Sequence, residues 1–159
     1  MIKPGDRLKL LREKIQQKGF VRIIEAHNGI SALVGEAASA HNGSSVVEYD
    51  GLWESSLTDS ASKGFPDVEV ISLDSRIHTI NEILEVTQKP LIVDGDTGRS
   101  PIEFEFLVRR LERIGVSAVI IEDKVFPKRN SLDTSANQTL EAPNLFAQKI
   151  QRGKSQVLT

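Results

Sequence analysis

The sequence predicts an α/β fold: about four βα units behind a leading amphipathic helix, the content of one half of a (β/α)8 TIM-type barrel. Two observations carry this. Short apolar, β-branched runs recur along the chain, and each is followed by a segment whose apolar residues return at helical spacing. Two of those runs, residues 91–93 and 118–121, read as strands buried on both faces, and both stop abruptly in charge.

In chain order, Leu8, Leu11 and Ile15 lie on one face of a helix over 6–18 that covers one end of the core. Residues 19–26 read as the first strand, His27-Asn-Gly29 as a turn, and 31–40 as an alanine-rich helix. A turn at His41-Asn-Gly-Ser44 leads to a second strand over 46–52. The segment 53–66, rich in Ser, Thr and Gly, reads as a long loop that Asp67 closes, and within it Ser55-Ser-Leu57 can offer hydroxyls and N–H groups to an oxyanion. Ile77, Ile80, Ile83 and Leu84 mark a helix over 74–87, and Lys89-Pro90 leads into the third strand. Pro101 suits a first helical position, and Phe104, Leu107, Val108 and Leu111 form the buried stripe of a helix ending near Gly115. The fourth strand, a long loop over 123–140 and a short helix over 143–151 complete the chain. Structureless loops beyond ~12–15 residues are usually functional or disordered, so this one reads as a mobile lid.

Composition narrows the function. With 39% hydrophobic and 26% charged residues the chain is an ordinary globular domain, and a net charge of −2 with no long Lys/Arg run argues against nucleic acid and against an anionic membrane surface. No apolar run approaches the ~20 residues of a membrane span, and the amino terminus lacks the pattern of a signal peptide. The absence of cysteine excludes disulfides, thiolate metal sites and a cysteine nucleophile, and fits a cytoplasmic protein.

The third and fourth strands end in Asp94-Gly-Asp-Thr-Gly98 and Glu122-Asp-Lys124. Carboxyl ends of neighbouring parallel strands lie side by side, so Asp94, Asp96 and Glu122 are expected to converge. Carboxylates packed together need a cation, and a hard divalent ion, Mg2+, is the expected one. Read alone, Asp94 and Asp96 favour a solvated turn over a metal site.

The segment Glu122-Asp-Lys-Val-Phe-Pro-Lys-Arg-Asn-Ser131 resembles the signature loop of phosphoenolpyruvate mutase, in the isocitrate lyase superfamily. Glu25-Ala-His-Asn-Gly-Ile-Ser31, Gly51-Leu-Trp-Glu-Ser-Ser-Leu57, Asp67 and Val93-Asp-Gly-Asp-Thr-Gly98 extend the resemblance along the chain in order. It implies Mg2+ bound directly by Asp94 and through water by Asp67, Asp96 and Glu122. It further implies a substrate site walled by Trp53, with Ser55, Ser56 and Leu57 cradling the carboxylate and enolate oxygens of pyruvate. Lys124, Lys128 and Asn130, followed by Ser131, would face the migrating phosphoryl group, whereas His27 reads as a local hydrogen-bond partner and Glu54 as an ordinary solvated residue.

The expected activity is Mg-dependent interconversion of phosphoenolpyruvate and phosphonopyruvate, the C–P bond-forming step of phosphonate biosynthesis. The alternatives are a phosphonopyruvate hydrolase, or a non-catalytic fragment or half-barrel assembly module. A carbon–carbon lyase is disfavoured by the missing cysteine loop. Relatives would form a complete barrel of ~250 residues, so the chain is expected to be truncated after its fourth βα unit, before an Arg and a His of the family's site. A homo-oligomer or a complementing second half is then expected to cover the open edges. Arg99 stands where the resemblance implies a small residue, which would put a bulky cation at the phosphate pocket.

Overall fold

Residues 2–135 and 137–157 are described by the computed structural model. In order they form α1 (Pro4–Lys18), β1 (Ile23–Glu25), α2 (Gly29–Ala37), β2 (Ser39–Asn42), β3 (Ser45–Glu48), β4 (Gly51–Glu54), α3 (Ser56–Ser62), α4 (Leu73–Val86), β5 (Leu91–Asp94), α5 (Pro101–Ile114), β6 (Ala118–Ile120) and α6 (Pro143–Lys154). Strands β1, β4, β5 and β6 form one parallel sheet in that spatial order, which is the sequential order of strands in half a barrel.

The helices cover one face of this sheet. Leu52, Leu91 and Val93 point from the strands into a core shared with Ile77, Ile80, Ile83 and Leu84 of α4 and Leu111 of α5. On the other face the register aligns Glu25, Trp53, Ile92 and Ala118 in one row, and there Trp53 and Ile120 remain 37% and 49% exposed. Apolar side chains on the inner face of a half barrel have no opposite layer to pack against.

Helix α5 follows its sequence signals closely. Ser100 and Glu103 form a capping box, Pro101 occupies the first turn, and Gly115 ends the helix in the left-handed region (φ 89°). Phe104, Val108 and Leu111 are buried as the periodicity predicts.

Four expectations are corrected. The strand expected over 46–52 is two strands, because Asp50 turns back to accept a hydrogen bond from the Arg22 N–H and to ion-pair with Lys18. This leaves β3 in a separate antiparallel hairpin with β2 and β4 in the main sheet. The supposed loop over 53–66 contains helix α3, masked by its Ser and Thr content. β6 is not buried on both faces: Ala118 and Val119 are only partly buried, and Ile120 is exposed on the face that the helices do not cover. On α1, Ile15 is exposed, and the buried partner of Leu11 is Arg7, whose guanidinium donates to the Leu84 and Thr87 carbonyls at the end of α4 (3.3 and 2.8 Å).

The segment 123–140, of which Ala136 lies outside the described residues, is pinned at its base rather than structureless. An antiparallel bridge joins Lys124 to Leu140, and Val125 and Glu141 N–H groups donate to Thr139 and Asp123 carbonyls (3.0 and 2.7 Å). Among the described residues no helix is long and apolar enough to cross a membrane.

Gly95 lets the strand-end loop after β5 lie flat on β6. A Cβ there would stand 2.9 Å from a Val119 methyl and 3.2 Å from the Ile120 carbonyl oxygen, which accepts the Gly95 N–H. Gly95→Ala is expected to lower stability by about 1–3 kcal/mol, the usual cost of overpacking, read as a fall in the thermal unfolding midpoint.

Candidate active site

The carboxyl ends of β4, β5 and β6, with the loop before α4, bring four of the expected acidic residues to one place. Asp94 ends β5; its Oδ2 accepts from the Ser56 hydroxyl (2.9 Å) and backbone N–H (3.3 Å), and its Oδ1 from the Asp96 N–H (3.0 Å). Asp96 follows in the left-handed region (φ 55°), where its buried carboxylate turns back over the strand end. Asp67 comes from the loop between α3 and α4, and Glu122 from the residues just after β6.

At the centre of these groups is the ammonium of Lys128, 2% exposed. Its Nζ lies 2.6 Å from Asp96 Oδ1, 2.9 Å from Asp67 Oδ1, 3.3 Å from Glu122 Oε1 and 3.0 Å from Ser56 Oγ. Burial by itself would lower the Lys128 pKa, but Asp96 and Asp67 outweigh it and hold the group above its ordinary value. Burial pushes the Asp96 carboxyl up, against the pull of Arg76 and Lys128.

Three residues that sequence reasoning passed over or, for Glu54, read as solvated frame this cluster. Arg76 of α4 donates to Glu54 Oε2 (2.6 Å) and Asp96 Oδ2 (2.7 Å), tying the ends of β4 and β5 together from behind. Glu54, far from solvated, is fully buried, and that burial pushes its carboxyl up to about 7 despite the guanidinium. Arg76 has a visible signal: it falls three residues after Leu73 and four before Ile80, a charge on the apolar face of its helix. The third is Glu69, whose carboxylate accepts from the Thr97 hydroxyl (2.9 Å) and N–H (3.2 Å) and from the Lys128 N–H (3.4 Å), joining the strand-end loop to the lid. Burial first, and Asp96 second, push the Glu69 pKa up. No periodicity marks Glu69.

The remaining expected residues are spread around the cluster. Ser55 and Ser56 are buried at the start of α3, Ser56 engaged with Asp94, while Leu57 and Trp53 are partly exposed. Lys124 faces Glu122 (2.9 Å) and the Ser131 hydroxyl (2.5 Å) within the lid. The Asn130 side chain accepts from the Leu132 N–H (2.8 Å), turned into the lid's own turn rather than toward the carboxylates. Arg99 makes no ion pair within the cluster: it donates to the Glu69 carbonyl (3.2 Å) and lies over the Phe126 ring, lining a cavity with Asp94 and Asp96. His27 bonds Glu25 (3.1 Å), as a local partner would.

The donor set is all oxygen and strongly anionic, which is the chemistry of a hard cation such as Mg2+. Asp67 Oδ1 and Asp96 Oδ1 are buried, and each has the Lys128 ammonium as its partner. Among the described residues no three carboxylate or imidazole groups form a ready metal cage.

The family model for phosphoenolpyruvate phosphomutase matches residues 11–159. The chain belongs to the phosphoenolpyruvate phosphomutase family. It is 35% identical over 145 residues to the phosphoenolpyruvate phosphomutase of Tetrahymena pyriformis, covering 91% of this chain and 45% of that protein. The solved phosphoenolpyruvate phosphomutase of Streptomyces platensis subsp. rosaceus superposes with a TM-score of 0.85 at 32% identity, over 96% of this chain and 50% of that one. A phosphonopyruvate hydrolase solved with oxalate and Mg2+ superposes with a TM-score of 0.81 at 27% identity, over 96% of this chain and 49% of that one. The chain thus spans about half the length of the phosphomutase relatives it matches, and its fold is that of their amino-terminal half.

Proposed function

We propose that this site interconverts phosphoenolpyruvate and phosphonopyruvate with Mg2+ as cofactor, as a step of phosphonate biosynthesis in the cytoplasm. The observation that carries the reading is the placement of Lys128: the lid delivers a cation onto Asp67, Asp96 and Glu122 beside Ser56 and Asp94. Asp94, with Asp67, Asp96 and Glu122, would hold Mg2+, which when bound supplies positive charge for the oxygens of a pyruvate enolate.

The residues of the chain divide the remaining work. Trp53 would wall the pyruvate moiety, with Ser55, Ser56 and Leu57 positioning its carboxylate and enolate oxygens. Cleavage of the P–O bond leaves its electron pair on the enolate, and the enolate carbon then forms the P–C bond, with no proton or water consumed. Lys124, Lys128 and Asn130 would hold the phosphoryl oxygens during that passage while the lid, secured through Ser131, excludes water.

Phosphorus NMR of the purified chain with Mg2+ and phosphonopyruvate tests this, with phosphoenolpyruvate as the expected product. Release of inorganic phosphate would replace the mutase by a hydrolase. No conversion would leave a non-catalytic fragment or assembly module. The exposed inner face at Trp53 and Ile120 and the open edges at β1 and β6 support a homo-oligomer or a complementing second half. Light scattering after size exclusion is expected to show such an assembly, and a cooperatively unfolding monomer would count against it.

A further inference from the structure

We infer that Glu69 and Arg99 are positioning residues for Lys128: together they clasp the lid to the loop after β5, so that the Lys128 ammonium is held beside Asp67, Asp96 and Glu122. Where Lys128 is held follows from contacts within the chain. What it then does to a phosphoryl group rests on the reading above.

Glu69 comes from the segment between α3 and α4, outside both of the segments that it joins. One of its carboxylate oxygens accepts from the Thr97 N–H (3.2 Å) and the other from the Lys128 N–H (3.4 Å), and the Thr97 hydroxyl spans both (3.0 and 2.9 Å). Thr97 directly follows Asp96, whose carboxylate lies 2.6 Å from the Lys128 ammonium. A single carboxylate therefore grips the backbone beside each partner of that ion pair and sets the spacing between them. Thr97 is fully buried and its carbonyl accepts from Lys149 of α6 (3.2 Å), which anchors the loop side of the clasp to the body of the fold.

Arg99 supplies the second hold. Its guanidinium donates to the Glu69 carbonyl (3.2 Å) and lies 5.3 Å from the centre of the Phe126 ring, two residues before Lys128. Its own N–H donates to the Thr97 hydroxyl (3.0 Å). The bond from the Lys128 N–H is long, so a cation seated on an aromatic ring two residues away carries part of the attachment. The contacts of Lys124 with Ser131 and of Asn130 with Leu132 stay inside the lid and do not fix it to the sheet.

The backbone points to the same residues. Among the described residues Glu69 (φ 58°), Asp96 (φ 55°) and Arg99 (φ 55°) are the non-glycine residues in the left-handed region. That conformation is unfavourable for a residue with a Cβ and persists where the surrounding contacts over-determine it. It also provides clean variants, because glycine at 69 or 99 removes the side chain and suits the backbone already present.

Hydrogen exchange of the purified chain, followed by mass spectrometry, tests the clasp without turnover. Lid peptides over residues 124–132 are expected to exchange at least about tenfold faster in Glu69→Gly, which loses hydrogen bonds to a carboxylate. They are expected to exchange at least about threefold faster in Arg99→Gly, which loses a carbonyl contact and the cation over Phe126. Peptides from α4 and α5 are expected to keep the rates of the unaltered chain in both variants. Glu69→Gln retains one acceptor oxygen and is expected to recover part of the protection. Unchanged lid exchange in either glycine variant overturns the inference. Equal acceleration across α4 and α5 also overturns it, because both residues would then be props of the whole fold, and so does Glu69→Gln exchanging as fast as Glu69→Gly. An inactive chain whose lid is loosened by these variants sinks the proposed reaction alone, and an active chain whose lid ignores them sinks this inference alone.

Discussion

Asp94→Ala is expected to abolish conversion of phosphonopyruvate and to weaken Mg2+ binding by at least about 100-fold, since even residues that only support metal ligands commonly cost 10–100-fold. Asp94 differs from the other acids of the cluster in its surroundings. Lys128 contacts Asp67, Asp96 and Glu122 directly, whereas Asp94 is held by hydrogen bonds from Ser56 and the Asp96 N–H. Its removal leaves those donors without their acceptor. Asp94→Asn distinguishes loss of charge from loss of this scaffold: it is expected to fold with a near-native unfolding midpoint and still fail to bind Mg2+. A variant that keeps both metal affinity and turnover would remove Asp94 from the site.

The largest stability loss is expected at Arg76. Arg76→Met leaves Glu54 and Asp96 buried without their guanidinium, and breaking one partner out of a buried ion-paired network typically costs about 3–5 kcal/mol. The loss should be smaller at pH 5 than at pH 8, because both carboxyls escape part of the penalty by protonating. Burial holds the folded Glu54 carboxyl near 7, above its ordinary 4.5, so the folded state keeps its proton more tightly than the unfolded chain does. That contribution is complete below about pH 4.5 and is lost as pH rises through 7. On the order of 3 kcal/mol is at stake, from about 1.4 kcal/mol per pKa unit. Unfolding midpoints measured from pH 5 to 8 are expected to fall for the unaltered chain, and the curve of Glu54→Gln should be flatter over the same window. Parallel curves would mean that Glu54 does not titrate there.

Why Arg76 and Glu54 escaped the reading of the sequence is instructive. An ion pair across α4 and β4 joins residues 22 positions apart, and neither shows its partner in local spacing; Arg76 shows only as a charge on an apolar stripe. That Asp94, Asp96 and Glu122 lie at one end of the sheet was legible for the opposite reason. A parallel sheet places the carboxyl ends of its strands together, so polar residues just after apolar runs come side by side.

Local chemistry by itself determined α5 with its capping box and Gly115, the strand at 91–94 and the pattern of strands followed by helices, because caps, periodicity and strand apolarity act over a few residues. The tertiary structure decided what depends on distant partners. It divided the 46–52 segment at Asp50, whose carboxylate finds Arg22 and Lys18 across the fold, and left β6 half-exposed on the face that the helices do not cover. It also seated Lys128, which in sequence is one charge among several on a solvated-looking lid, at the centre of the acidic cluster. Buried like charges demand a counter-ion, and which cation answers depends on what the folded chain brings within reach.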